Sequence, residues 1–104
     1  MLNSIKKLLG LGPKANFSEL MAEGAIIIDV RTKGEFAGGH IKGSLNIPLD
    51  TLGQNLGKIK DKTKPVITCC ASGMRSASAK SMLQTLGYTS VYNGGGWASL
   101  NSKI

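Results

Sequence analysis

The apolar residues of this chain fall in short unbroken runs set between polar, glycine-punctuated stretches. Ala25-Ile26-Ile27-Ile28 is a continuous β-branched run, the pattern of a strand buried on both faces of a parallel sheet. Val66-Ile67-Thr68 is a second such run, halted by small residues and Gly73, while Ser44 to Ile47 and Ser90 to Tyr92 read as two further short strands. The segments between them carry helix signals. Asn16 is placed to cap a helix over Phe17 to Glu23, which Gly24 ends, and Thr32 followed by Glu35 is a capping-box pattern that predicts a brief helical turn. Asp50 is a candidate cap for a helix over Leu52 to Leu56 with Gly57 as its stop. The longest helix is predicted from Ser76 to Leu86, with Ala77, Met82, Leu83 and Leu86 at helical spacing and Gly87 at its end. Asn93-Gly94-Gly95-Gly96 then leads into a terminal turn holding Trp97 and Leu100.

Short strands alternating with helices predict a parallel α/β sheet covered on both faces. Ligands of such sheets sit outside the carboxyl ends of the strands. Asp29 and Arg31 end one buried run and Cys70 ends another, so all three are expected at one rim. With 104 residues and no internal repeat, the chain is read as residues 1–15, an N-terminal extension, and residues 16–104, one domain. In the extension Leu2, Ile5 and Leu9 would share one face of a short helix that docks on the domain or, as the alternative, anchors weakly at a membrane surface, and Gly10, Gly12 and Pro13 break an apolar run too short for an export signal. No apolar stretch approaches membrane-spanning length, so no membrane partner is expected.

Composition narrows the chemistry. Thirteen Lys and Arg against six Asp and Glu give a net charge of +7, with Lys58, Lys60, Lys62 and Lys64 alternating just ahead of the second buried run. A basic surface attracts anions, but one Trp and few other aromatics supply no stacking platform, which favours small anions or acidic proteins over nucleic acid as partners. The alternating lysines read as a solvated face. The two cysteines are adjacent and cannot close a loop, and no Cys or His pair has metal-ligand spacing, so neither a metal nor another cofactor is expected. Free thiols suit a reducing compartment, the cytoplasm.

The chemistry converges on Pro65 to Lys80, where a strand delivers Cys70 to a tight loop and a helix start. Unpaired N–H groups and the helix dipole there favour an anion, be it a thiolate, a persulfide or an oxyanion, and Arg75 adds a fixed positive charge. Such surroundings lower a thiol from about 8.5 to roughly 3.5–7.5. Cys70 is therefore the candidate nucleophile. Cys69, on the other face of the strand by alternation, reads as core filler. Arg75 either binds the anionic end of a donor or braces the loop. Asp29 and Arg31 read as a supporting ion pair, His40 as a loop brace and Trp97 as packing.

Several segments resemble the rhodanese-like sulfurtransferase domains. Ile28-Asp29-Val30-Arg31, Glu35-Phe36, Gly39-His40-Ile41, Gly43 and Asn46-Ile47-Pro48 are similar to the family's first signature. Cys70-Ala71-Ser72-Gly73-Met74-Arg75-Ser76 resembles its active-site loop, and Gly87-Tyr88, Val91-Tyr92-Asn93, Gly95-Gly96 and Trp97 its closing motif. The resemblance implies a three-layer α/β/α domain with a small, mainly parallel central sheet. It also implies a cysteine that takes sulfane sulfur from a donor such as thiosulfate and passes it to cyanide, a thiol or an acidic acceptor protein. The substrate-holding set would be Arg75 with Ala71, Ser72, Gly73, Met74 and Ser76, of which Ser72, Gly73, Met74 and Ser76 would offer backbone N–H groups. Lys42, Ser44 and Cys69 depart from the usual pattern. The doubled cysteine leaves two alternatives open: a phosphatase or arsenate reductase using Cys69, which has the longer loop count to Arg75, and a non-catalytic persulfide carrier. Gly73, three residues after Cys70, favours the Cys70 register.

Overall fold

The computed structural model describes residues 15–104; the predicted N-terminal helix lies outside them. Four parallel strands form one sheet in the order β2-β1-β3-β4: β1 (Ile26–Asp29), β2 (Leu45–Asn46), β3 (Val66–Cys70) and β4 (Val91–Gly96). The helices are α1 (Phe17–Ala22), α2 (Lys33–Ala37), α3 (Met74–Thr85) and α4 (Trp97–Asn101), with a 3-10 helix at Leu49–Gln54. All five residues of β3 are buried, as the central place of an unbroken apolar run requires.

Strand alternation sorts the core into two layers. On one face Ile28, Val30, Val66, Cys70 and Val91 pack against Leu52, Ile59, Ala79, Leu83 and Tyr88. On the other, Ile27, Ile67 and Cys69 pack with Leu20, Ile41 and Leu100, and Trp97 lies against them. The three-layer α/β/α expectation holds, and every strand pair is parallel.

Local expectations fare unevenly. Asn16 caps α1 through Glu19 N–H (3.0 Å), and the Thr32/Glu35 capping box forms in full. The helix predicted over Leu52 to Leu56 is instead the 3-10 helix, entered from Pro48 with no side-chain cap from Asp50. Leu49 N–H is held by Val30 O at 3.1 Å, which starts the turn early, and a three-residue spacing sets Leu52 into the core. Helix α3 begins at Met74, two residues before the predicted Ser76, because Gly73 turns the chain with φ +111°. Its inward residues are Ser76, Ala79 and Leu83, whereas Ala77, Met82 and Leu86 face outward. Most instructive is Asn93-Gly94-Gly95-Gly96, which continues β4 past the predicted strand end at Tyr92, while the predicted terminal turn holding Trp97 and Leu100 is helix α4. A Cβ on Gly94 would lie 2.8 Å from Ile67 Cγ2, Leu100 Cδ2 and Thr68 O, so these glycines let β4 press against the core.

Candidate active site

Strand β3 ends at Cys70, and only Ala71, Ser72 and Gly73 separate it from α3. The turn folds back so that Gly73 N–H points at Cys70 Sγ from 2.9 Å and Ser76 N–H from 3.4 Å. The Ser76 hydroxyl oxygen lies 3.6 Å from the same sulfur. Thr68 donates to Ser76 O at 2.8 Å and so ties the first turn of α3 to β3. Burial leaves Cys70 only 1% exposed and on its own would raise the thiol. The Ser76 hydroxyl, with the Ser76, Gly73 and Ser72 N–H groups, outweighs that penalty and brings Cys70 below the ordinary thiol value.

Cys69 has the opposite surroundings. It is 0% exposed, its Cα partner in β1 is Asp29, and its thiol is pushed up to about 12, chiefly by burial, then by the Asp29 charge. Cys69 packs in the opposite core layer with Ile27, Ile67 and Leu100, while Gly73 N–H and Ser76 N–H point at Cys70.

Asp29 and Arg31 share the rim with Cys70 through their strand ends, but alternation sends the Asp29 carboxylate to the Cys69 face. Arg31 binds that carboxylate through Nε (3.0 and 3.1 Å) and Nη2 (2.8 Å), and this raises the guanidinium pKa. It also donates to Glu35 O (3.3 Å) and Gly39 O (2.6 Å), and its guanidinium lies 4.8 Å from the Trp97 ring centre. The pair thus pins the loop between α2 and β2. His40 Nδ1 sits 2.7 Å from Phe36 O and its ring stacks on Phe36 at 3.7 Å, so its contacts are with α2.

Arg75 stands at the mouth of the loop, 36% exposed, with Nη1 and Nη2 at 2.7 and 2.9 Å from the two Glu35 carboxylate oxygens. Hydrogen bonds from Arg75 first, then from Thr32, lower Glu35 to about 2, so the clamp is charged at neutral pH. Two of the five guanidinium N–H groups are used, leaving others for a ligand. Ala71 and Ser72 are exposed on the loop, and Met74 is 82% exposed beside them. Lys58, Lys60, Lys62 and Lys64 lie ahead of the amino end of β3, where Lys62 Nζ donates to Leu86 O (2.7 Å) at the far end of α3.

Sequence reasoning missed three side chains. Glu35 reads as a capping residue and part of the first signature, Ser76 counts for its backbone N–H and not its hydroxyl, and Asn93 figures only within the closing motif. Asn93 Oδ1 is 2.6 Å from Ser76 Oγ. A usable signal existed for Asn93: a polar side chain ahead of three glycines in a strand has little else to pack against.

Residues 14–103 match the family described as Rhodanese-like domain. The chain is 43% identical over 81 residues to the uncharacterized protein YqhL of Bacillus subtilis, a region that is 77% of this chain and 64% of that protein. It is 37% identical over 70 residues to thiosulfate sulfurtransferase PspE of Escherichia coli, covering 66% of this chain and 67% of PspE. For YqhL and for YibN of E. coli, the matched region is thus just under two thirds of the relative's length, at 64% and 62%. Among solved structures, the human single-domain sulfurtransferase TSTD1 superposes with a TM-score of 0.74 at 27% identity, over 89% of this chain and 98% of that one. An E. coli rhodanese with anions gives 0.68 at 34% identity, over 72% and 89%.

Proposed function

Since the chain belongs to the rhodanese-like domain family, we propose that it is a sulfurtransferase in which Cys70 takes a sulfane sulfur from a thiosulfate-like donor and passes it on. The Cys70 thiolate attacks the outer sulfur of thiosulfate; the new S–S bond forms as the old one breaks, and sulfite leaves with the bonding pair. A nucleophile such as cyanide or a thiolate then attacks the terminal sulfur of the Cys70 persulfide and releases the thiolate. No general base is needed once the thiol has ionised.

The observation that carries this reading is the convergence of Gly73 N–H and Ser76 N–H on one buried sulfur. Donors fixed before reaction stabilise charge on sulfur without reorganising. Arg75 would hold the anionic end of the donor with the N–H groups that Glu35 leaves free, and exposed Ala71, Ser72 and Met74 would form the mouth through which it enters. Asp29, Arg31 and His40 act as support. The thiol chemistry suits a reducing compartment such as the cytoplasm, and the physiological acceptor would be a thiol or a protein with an acidic face.

Intact mass after incubation with thiosulfate, free of reductant, is the test. A gain of one sulfur atom, located at Cys70 by peptide mapping and removed by cyanide, is expected. An unchanged mass overturns thiosulfate transfer, and a stable adduct that neither cyanide nor small thiols discharge replaces the enzyme with a carrier.

A further inference from the structure

Ser76 Oγ is fully buried and carries one proton, yet three groups surround it: Asn93 Oδ1 at 2.6 Å, Gly73 O at 3.0 Å and Cys70 Sγ at 3.6 Å. The orientation of the Asn93 amide is fixed independently, because Gly95 N–H donates to Oδ1 at 2.9 Å and a backbone N–H needs an acceptor. Oδ1 therefore faces Ser76 as an acceptor, and the short contact belongs to the hydroxyl proton. With Cys70 as a thiol, a chain of donors runs from S–H to Ser76 Oγ and from Ser76 O–H to Asn93 Oδ1. A thiolate has no proton to give and can only accept, so this first link survives ionisation only if the hydroxyl turns its proton to sulfur.

We propose that Asn93 is a positioning residue that governs the Ser76 hydroxyl, holding its proton while Cys70 is a thiol and yielding it to sulfur when Cys70 ionises. The thiol proton leaves to water or buffer at the loop mouth, and the hydroxyl rotates from Oδ1 to Sγ. Asn93 is suited to this because Oδ1 keeps the Gly95 N–H after the hydroxyl departs and is never left bare. A carboxylate in its place would grip the hydroxyl and add a repelling charge. Consistent with this geometry, burial raises the Cys70 thiol and the Ser76 hydroxyl is the strongest of the groups that lower it.

The proposal takes Cys70 as the nucleophile of the preceding section, but its test uses no sulfur donor, so the two can fail separately. The ultraviolet absorbance of the thiolate is followed against pH in four proteins: wild type, Ser76→Ala, Asn93→Ala and the double variant. Cys69, pushed up to about 12, stays a thiol over the range scanned. Ser76→Ala should raise the Cys70 transition by about one pH unit, a tenfold change in ionisation. Asn93→Ala should lower it by about half a unit with Ser76 present, since the hydroxyl loses the nearer of two competing acceptors and keeps only Gly73 O at 3.0 Å, and leave it unmoved in the Ser76→Ala background. A brace that merely supports the β4 bend behaves otherwise: its loss slackens the loop and raises the transition equally in both backgrounds. Either an upward shift or an equal shift in the two backgrounds overturns the proposal. Should Asn93→Ala fail to fold, the isosteric Asn93→Asp replaces it; its upward shift must be larger with Ser76 present than with Ser76→Ala, and equal shifts overturn the proposal.

Discussion

The two faces of strand β3 carry adjacent cysteines whose thiols are shifted in opposite directions. Both thiols are buried, at 0% and 1% exposure, yet Cys69 is pushed up to about 12 and Cys70 is brought below its ordinary value. Burial raises both thiols and is the chief cause of the rise at Cys69; only at Cys70 is it outweighed. On the Cys70 face a glycine turn aims two N–H groups and brings a hydroxyl to the sulfur; on the Cys69 face the Asp29 carboxylate opposes a thiolate and its partner Arg31 only partly offsets this. What lowers one buried thiol and not the other is the supply of donors, and that supply comes from the residues after the strand.

Exchanging the thiols tests this most sharply. Cys70→Ser should lower sulfur transfer at least about a thousandfold, the scale on which loss of a nucleophile acts. Cys69→Ala should retain transfer within about threefold and cost about 1–2 kcal/mol through lost packing. A transfer assay with cyanide as acceptor and a urea titration give both numbers; a dead Cys69→Ala protein that folds would invert the assignment. The raised Cys69 value has its own signature: an acid held protonated by the fold stabilises fully below the unfolded value of 9.0, and that contribution drains away as pH rises toward about 12. Cys69→Ala should therefore flatten part of the alkaline loss of stability.

The second prediction acts on the Cys69 face alone. Asp29→Ala strands the Arg31 guanidinium, 5% exposed, with only carbonyls and Trp97 for company. Breaking a buried pair from one side costs about 3–5 kcal/mol. The denaturation midpoint should fall accordingly, while protein that remains folded still takes sulfur at Cys70. A loss below about 1 kcal/mol would mean that the pair does not hold the rim.

The smallest effect is expected at the mouth of the Cys70 face. Arg75→Ala should reduce kcat/KM for thiosulfate by about tenfold, and Arg75→Lys should recover part of it, since charge returns without the planar fork. Equal values in all three proteins would leave Arg75 as a brace for Glu35 and nothing more.

Unbroken apolar runs at Ile26 to Ile28 and Val66 to Thr68, a capping box at Thr32 and Glu35, and glycines at helix ends were enough to foresee a parallel sheet between two helical layers. They were enough also to set Cys70 at a helix start, because these features depend on neighbours only a few residues away. Three things were out of reach. The last strand looked complete at Tyr92 because glycine is ambiguous until one sees the core that a Cβ on Gly94 would strike. What Arg75 braces could not be read because its partner, Glu35, is forty residues earlier. The Ser76 hydroxyl looked incidental because Asn93 reaches it only when β4 lies beside β3. Local sequence carries propensity and caps, but the acceptor of a buried proton or the counter-ion of an arginine comes from whichever strand or helix the fold brings alongside, and only tertiary packing decides that.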